Sequence, residues 1–366
     1  MDIPQTLVID FGSYETRIGL STSPTPELVI SSYYPSHDPD YLLISKIMDR
    51  MEITQSIKEG EINSIDRALF VFTSEANALF SNETGNNFIF SDAPNTSIEI
   101  IDTFTQMLFE DCGANAICFK PPGLAVLQDQ HCLTGICLDR GYQLTDCVPK
   151  ALTTIPMHCI KTSRLSGFSV DCYCRRMLNF SMDKLSWGDF KKIEEIKKSS
   201  PLSPEELDPA KLENSTNDQF VSQTSNEILF GKDWLLAAFP KGAPNVQVDR
   251  MIEESTLPTL VKNTIDSCDI DLRNDLWRKI FVIGGSANIP GLHERLTSEL
   301  TQITPPSITP NVQILKEPEL AGWRALAKTE MTKGEPFVLT AEEYFEDTTN
   351  AAAKKFRDVS LRKEAL

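Results

Sequence analysis

Two short segments of this sequence share one pattern, and that pattern restricts the folds open to the chain. Residues 7–12, LVIDFG, form an apolar run that ends in Asp-x-Gly, and residues 136–141, ICLDRG, repeat this arrangement 129 positions later. Each run is followed by a second strand-like segment, TRIGL at 16–20 and LTDCV at 144–148. Such runs on both sides of a short acidic turn with glycine predict a β-hairpin. The sequence therefore predicts two related hairpins in separate parts of the chain.

A third segment, IFVIGGS at 280–286, has the pattern of a buried strand that runs into a Gly-Gly turn. The apolar spacing beyond Pro290 and Gly291 predicts a helix from Leu292 to Leu300. Phe88–Phe90 predicts another strand, and the apolar positions from Ile98 to Asp111 recur at helical spacing. Strands and helices in this arrangement predict an α/β fold.

Length and charge narrow the class of protein. The chain has 366 residues, which predicts two domains. Its 52 acidic against 35 basic residues give a formal net charge of −17, which argues against direct binding to a nucleic-acid backbone. The sequence has no run of 18 apolar residues, and Met1–Pro4 lacks the basic start of a secretory signal. We therefore expect an intracellular protein without membrane contact, whose nine cysteines are free thiols.

The three turns suggest a common chemistry. A tight turn that gathers backbone N–H groups forms a cradle for phosphate. Asp10 and Asp139, one from each hairpin, would hold hydrated Mg²⁺, since this cation prefers carboxylate and water oxygens. The Gly284-Gly285 turn would let the backbone approach a flat base closely. One such turn alone is usually only a hairpin, whereas three in this order are much more specific.

The segments that carry these turns resemble the actin family within the actin/Hsp70/sugar-kinase ATPase fold. Five stretches carry the resemblance, together with Trp323: Leu7–Gly19, Phe88–Gly113, Gly135–Pro149, Cys268–Leu296 and Phe337–Asp347. The resemblance implies an α/β, actin-like (ribonuclease H-like) two-domain ATPase fold with a central nucleotide cleft. Residues 1–123 plus 322–366 would form the small domain, and residues 124–321 the large one.

The same resemblance implies a set of nucleotide contacts. ATP or ADP with Mg²⁺, bound weakly or not at all, would meet residues of both phosphate loops, one lysine and the Gly-Gly turn. These residues are Asp10, Gly12, Ser13, Arg17, Asp139, Gly141, Thr145, Lys197, Gly284, Gly285 and Ser286. Asp10 and Asp139 would hold the metal through water.

Departures from the family pattern weaken the expected ATPase. Tyr14 and Arg17 stand where the family has glycine and lysine in the first loop, and Tyr142-Gln143 replaces Asp-Gly in the second. Leu124 aligns near the glutamine that orients the attacking water, and a leucine cannot hydrogen-bond to water. Losing such a group costs roughly 10²–10⁴ in rate. We therefore assign no catalytic residue and expect a slow or inactive ATPase.

Three functions stay open. The first is a non-polymerising scaffold subunit of a nuclear chromatin-remodelling complex, which binds a long helix of a remodeller. The second is a cytoskeletal actin-related protein, such as the pointed-end cap of dynactin, whose partner is another actin-family protein. The third is an active ATPase. The segment from Val29 to Ser56, which would form subdomain 2, is shorter than in conventional actin, so we expect weak head-to-tail polymerisation.

Two expectations concern the scaffold. Residues 199–226 are rich in Ser, Pro, Asn and acidic residues, which predicts a surface loop within the second domain. Trp323 is interpreted as a core anchor or as part of a partner groove.

Overall fold

The computed structural model describes residues 4–35, 53–55, 57–58, 61–62, 79, 84–92, 96, 98–152, 156–180, 186–203, 207, 218–238, 251, 253–348 and 351–360. Most of the shortened segment from Val29 to Ser56 therefore lies outside the described residues. The chain divides into two compact units. The first unit is residues 1–42, 55–132 and 320–366, and the second is 43–54 and 133–319. The predicted domain limits stay a prediction.

The N-terminal part of the first unit is built mainly from strands. They are β1 (Thr6–Phe11), β2 (Glu15–Leu20), β3 (Leu28–Ser31), β4 (Tyr33–Pro35), β6 (Ile57–Lys58), β7 (Glu61–Ile62), β8 (Asn87–Ser91) and β9 (Ala116–Lys120). β5 (Ile53–Gln55) lies at the boundary between the two units in the sequence. β1 and β2 pair antiparallel, with Asp10 opposite Arg17, which confirms the first predicted hairpin. β8 lies parallel to β1, and β9 lies parallel to β8.

One helix connects β8 to β9, and a second follows β9. Helix α1 (Ile98–Gln106) continues as a π-helical turn over Met107–Asp111, so the predicted helix from Ile98 to Asp111 is confirmed with a wider last turn. Helix α2 (Pro122–Asp129) follows β9 and begins with proline, whose fixed φ suits the first position of a helix.

The second unit contains a five-stranded sheet surrounded by helices. Its strands are β10 (Thr134–Arg140), β11 (Thr145–Ala151), β12 (Lys161–Ser163), β13 (Ile280–Ile283) and β14 (Val312–Ile314), in the order β12-β11-β10-β13-β14. β10 and β11 pair antiparallel, which confirms the second hairpin, and β13 lies parallel to β10. The helices are α3 (Gly167–Met177), α4 (Trp187–Ser199), α5 (Asp218–Thr224), α6 (Lys232–Ala238), α7 (Leu257–Ser267), α8 (Ile270–Trp277) and α9 (Leu292–Ile303). Short 3₁₀ turns cover Met157–Cys159, Glu227–Leu229 and Gly285–Asn288.

The chain then returns to complete the first unit. Helix α10 (Pro318–Ala327) is followed by β15 (Val338–Thr340), α11 (Ala341–Glu346) and α12 (Ala351–Ser360). β15 pairs antiparallel with β9, so the first sheet has the order β15-β9-β8-β1-β2-β3. Trp323 is fully buried and its Nε1 donates to the carbonyl of Val8 at 3.4 Å. It is therefore a core anchor of the first unit and not part of a partner groove.

A cluster of aromatic rings forms the centre of the first core. Phe90 stacks on Phe119 with ring centroids 5.0 Å apart and meets Phe104 edge-on at 5.7 Å. Phe119 in turn meets Phe356 of α12 edge-on at 5.2 Å. Aromatic pairs in these geometries add stability beyond the area they bury. The C-terminal helix is thereby tied into the core around β8 and β9.

The surface-loop prediction for residues 199–226 is wrong for the part that the structure describes. Residues 218–224 form α5, and Leu202 and Asn226 are buried. Polar residues can be buried here because they find partners within the unit. The hydroxyl of Thr224 lies 2.8 Å from that of Tyr173, and the Asn226 amide donates to the Ser200 carbonyl at 2.6 Å.

The cysteine prediction is confirmed. All nine cysteines are free thiols, and eight of them are buried. Burial raises the pKa of Cys118, Cys147, Cys172 and Cys174 to about 12, so these thiols stay protonated at neutral pH. In the described parts of the chain, no helix combines the length and apolar character needed to cross a membrane.

Candidate nucleotide site

The turn of the first hairpin needs glycine at position 12. The Gly12 N–H donates to the Asp10 carbonyl at 3.1 Å, and the Ser32 hydroxyl donates to the Gly12 carbonyl. A Cβ added to Gly12 would lie 2.6 Å from the Glu15 carbonyl oxygen, closer than a real Cβ approaches such an atom. The Asp-x-Gly pattern therefore encodes a turn in which the backbone closes on itself. Predicted contact Ser13 lies within this turn.

The cation of the first loop is already paired. Arg17 Nη1 lies 3.3 Å from Asp10 Oδ2, and Nη2 lies 3.1 Å from Glu15 Oε2. The side chains of Arg17 and Asp10 are only 15% and 17% exposed, so water screens this pair less than a surface pair. Two carboxylates thus balance the guanidinium that the family resemblance directs at phosphate, and one of them is the aspartate expected to hold metal.

The second hairpin has a similar turn. The Gly141 N–H donates to the Leu144 carbonyl at 2.9 Å, and a Cβ on Gly141 would lie at the same distance from that oxygen. Thr145 is fully buried, and its hydroxyl donates to the Leu165 carbonyl at 3.1 Å. This hydroxyl stabilises the start of β11 against the chain that leads into α3.

The Gly-Gly turn after β13 lies against the end of β10. Gly284 has φ +92°, and a Cβ there would lie 2.4 Å from the Arg140 carbonyl oxygen, so only glycine fits. The buried Arg140 donates from Nη1 to the Ser286 carbonyl at 2.8 Å, and burial lowers the pKa of Arg140. The Ser286 hydroxyl donates to the Gly141 carbonyl at 3.2 Å, so the Gly-Gly turn and the second loop are hydrogen-bonded together.

Lys197 of α4 joins the same group. Its Nζ lies 2.6 Å from Asp171 Oδ1 and 3.5 Å from the Gly167 carbonyl. A Cβ on Gly167 would lie 3.0 Å from Ser286 Oγ and 3.3 Å from Tyr142 Cδ2, so this glycine lets three segments meet. The second unit therefore brings together Gly141, Lys197, Gly284 and Ser286, four of the predicted contacts.

Sequence reasoning missed two residues of this group, Asp171 and Gly167. Asp171 lies on α3 within the run VDCYC, where a carboxylate between buried positions is a signal of an internal partner. Gly167 opens the same helix behind Ser166, whose side chain forms a capping box with Ser169. The cap was a readable signal, whereas the approach of Gly167 to Ser286 depends on tertiary structure.

The expected metal pair spans the two units. Asp10 belongs to the first unit and Asp139 to the second, where Asp139 lies opposite Asp146 in the β10–β11 register. The juxtaposition of Asp10 with Asp139 stays a prediction. Among the residues that the structure describes, no three His, Cys, Asp or Glu side chains form a group that could hold a metal ion.

Leu124, which aligns near the family's water-orienting glutamine, is fully buried in α2. A buried aliphatic side chain offers neither a donor nor an acceptor to a water molecule. Slow or absent hydrolysis stays a prediction.

In each unit, the cation expected to contact a nucleotide is paired with a carboxylate of the same unit. Arg17 is held by Asp10 and Glu15, and Lys197 is held by Asp171. The Tyr142 ring also lies directly beneath Lys197, with Nζ 5.0 Å from the ring centroid. The glycine turns of a phosphate site are kept, while the cations that would meet phosphate or base are bound to the protein's own groups.

Comparison with protein families agrees with the architecture of both sheets. A family model described as Actin matches residues 1–230 and 216–357, which is nearly the whole chain. The match includes both hairpins and the Gly-Gly turn. Proteins of that family typically bind a nucleotide together with a divalent metal.

Proposed function

The chain belongs to the actin family, and from this premise we propose that it is a non-polymerising scaffold subunit of a multiprotein complex that hydrolyses little or no ATP. Its fold is the α/β actin-like fold, with one mixed sheet in each unit. Proteins with this fold have many different functions, so the function has to be inferred from the residues of the site.

One observation carries the proposal: both cations expected to face the nucleotide are held by carboxylates of their own unit. Phosphoryl transfer depends on cations that stabilise the charge of the phosphates and on an oriented water. Arg17 and Lys197 are engaged with Asp10, Glu15 and Asp171. The position expected to orient the water is the buried Leu124. The chain keeps the structural framework of the family and lacks its hydrolytic groups.

The proposed setting is a nuclear chromatin-remodelling complex, in which the protein binds a long helix of the remodeller subunit. The stretches Gly141–Thr145 and Pro318–Trp323 resemble divergent nuclear actin-related proteins more than actin itself. A net charge of −17 also suits a basic helical partner better than nucleic acid. The alternative is a cytoskeletal actin-related protein, such as the pointed-end cap of dynactin.

Hydrolysis is the first test. The purified chain, assayed with Mg–ATP beside conventional actin, is expected to release phosphate at least ~100-fold more slowly, because the water-orienting group is missing. Sedimentation is expected to leave the chain in the supernatant under conditions that pellet actin filaments. Turnover equal to that of actin would establish the active ATPase instead.

Copurification separates the two settings. A tagged copy of the chain, captured at low salt and identified by mass spectrometry, is expected to bring down a helicase-type ATPase with a basic helix. An actin-like filament in the same eluate, without such an ATPase, would establish the cytoskeletal alternative. A remodeller variant that lacks its basic helix is the control, and we expect it to lose the chain.

A further inference from the structure

Tyr142 occupies the middle of the predicted contacts in the second unit. It is buried, and its ring meets Phe168 edge-on at 5.9 Å and Phe190 at 6.4 Å between centroids. Lys197 Nζ lies 5.0 Å from the centroid of the same ring, within the range of a cation–π interaction. The ring therefore fills the space between the second loop, α3 and α4.

One carboxylate links the ring to the cation. The Tyr142 hydroxyl donates to Asp171 Oδ2 at 2.6 Å, and Lys197 Nζ donates to Asp171 Oδ1 at 2.6 Å. The Asp171 side chain is 2% exposed and that of Lys197 is 14% exposed. Hydrogen bonds to charged groups in such a place are the stronger kind, and a buried carboxylate left without them is costly.

The backbone of Tyr142 takes the donors at the N-terminus of α3. Its carbonyl accepts from the Phe168 N–H and, at 2.7 Å, from the Ser166 hydroxyl. The Gly167 N–H donates to the Gly141 carbonyl at 3.4 Å. Helix N-termini are sites where free N–H groups attract anions. Here the second loop itself supplies the acceptors.

We propose that Tyr142 is a built-in occupant of the second unit's half of the nucleotide site, and that nucleotide binds there only when this side chain leaves. This inference rests on the proposed function, since it describes how that degenerate site is kept closed. The group Tyr142–Asp171–Lys197, called the tyrosine latch below, satisfies the cation and the helix N-terminus without a ligand. In the second unit, Lys197 and the N-terminus of α3 accordingly have hydrogen-bond partners within the protein when no nucleotide is bound.

The test compares nucleotide affinity in latch variants of the full chain. Affinity is measured with Mg–ATP and Mg–ADP by calorimetry, and thermal unfolding is followed with and without 1 mM nucleotide. For wild type we expect no change of the thermal midpoint. For Tyr142→Ala we expect a Kd at least ~10-fold lower, because removing a closed state raises the fraction of competent protein. The thermal midpoint of this variant should then rise when nucleotide is added.

A milder variant keeps the test decisive if Tyr142→Ala does not fold. Tyr142→Phe keeps the ring and removes only the hydrogen bond to Asp171, so we expect a Kd lower by about threefold. Tyr173→Phe is the matched control, because Tyr173 lies on α3 with Asp171 and its hydroxyl pairs with that of Thr224 instead. It should leave nucleotide affinity unchanged.

One outcome would overturn the inference: folded latch variants that bind Mg–ATP no more tightly than wild type does. This outcome does not depend on copurification. A chain that copurifies with a remodeller while Tyr142→Ala gains no affinity refutes the latch alone. A chain that copurifies with actin-like filaments while Tyr142→Ala gains affinity refutes the proposed setting alone.

Discussion

The two hairpins offer a direct comparison, because the sheets around them have the same construction. Five of the six strands of the first sheet have the order β3-β2-β1-β8-β9, with β15 beyond β9, and the second sheet has the order β12-β11-β10-β13-β14. In both, three consecutive strands pair antiparallel and the next two lie parallel to the first of them. Any difference between the two turns therefore comes from side chains and not from topology.

The two turns differ in the position of the residues that pair with the nearby cationic side chains. In the first hairpin Asp10 faces Arg17 across the strand pair, so the partner is local. At the same place in the second hairpin Asp139 faces Asp146, which accepts a hydrogen bond from Thr162. The two cations near this turn bind groups outside the hairpin: Arg140 of β10 donates to the Ser286 carbonyl in the Gly-Gly turn, and Lys197 of α4 pairs with Asp171. The cation of the first turn thus pairs within its own hairpin, whereas Lys197 pairs with Asp171 of another helix, 26 positions away.

The largest expected effect concerns the Gly-Gly turn, which has no counterpart in the first hairpin. Gly284→Ala places a Cβ 2.4 Å from the Arg140 carbonyl oxygen at φ +92°. We expect a loss of about 4 kcal/mol in the free energy of unfolding, from backbone strain and overpacking together. Urea unfolding measures the loss, and hydrogen exchange of the β13 segment locates it.

Gly285→Ala is the matched control, because no described atom lies within 4 Å of a Cβ at that position. We expect a change of no more than about 0.5 kcal/mol. Equal losses for the two variants would mean that the second turn does not depend on the close approach to Arg140.

The next effect compares the two cations directly. Lys197→Met leaves Asp171 buried without its cation, and we expect a loss of about 3 kcal/mol in the free energy of unfolding. Arg17→Met leaves carboxylates that water can reach more easily, since Asp10 is 17% and Glu15 36% exposed against 2% for Asp171, and we expect a loss of about 1 kcal/mol. Raising the salt concentration to 1 M should reduce the loss caused by Arg17→Met more than the loss caused by Lys197→Met, since salt screens exposed charges more effectively. Equal losses with equal salt dependence would remove the distinction between a local and a tertiary partner.

The sequence predicts local elements well. Both hairpins, the strand at 280–283 and the helix after Gly291 follow from apolar runs next to Asp-x-Gly or Gly-Gly turns. These signals are local, and in a strand the period of side chains alone shows which face is buried. The helix that begins at Leu292 ends at Ile303, three residues beyond the predicted end, which is the usual uncertainty at a helix terminus.

The arrangement of the site was less accessible from sequence. Lys197 was identified as a contact, but its partner Asp171 lies 26 positions away on another helix and no pattern connects the two. The sequence marks Tyr142 as a departure from the family pattern, whereas its hydrogen bond to Asp171 depends on how α3 packs. The prediction for residues 199–226 was wrong for a related reason. Their composition is that of a surface loop, but residues such as Asn226 are buried and form tertiary hydrogen bonds.

Each unit also buries a cation near its sheet, Arg140 in the second and Lys120 in the first. The smallest predicted effect concerns Lys120, whose Nζ donates to the Thr329 hydroxyl at 3.2 Å. Burial lowers the pKa of Lys120 below its ordinary 10.5, although Cys118 and Glu335 oppose the shift. The folded chain therefore holds this proton less tightly than the unfolded chain. The free energy of unfolding therefore decreases as pH falls from 10.5 through the folded-state pKa of Lys120. It is restored above 10.5, where the lysine is neutral in both states.

Lys120→Met removes the charge and keeps most of the apolar stem, so the variant should be more stable than wild type at pH 8 by about 1 kcal/mol. The gap should close as pH rises above 10.5, because the wild-type lysine is then neutral in both states. Lys328→Met is the control: that lysine is 64% exposed beside Asp129, and surface pairs of this kind contribute little. Unfolding midpoints in urea at pH 8 and at about pH 11.5, a full unit above the ordinary lysine pKa, measure the gap. A gap that persists unchanged at the higher pH would mean that packing against the sheet, and not the buried charge, sets the difference at Lys120.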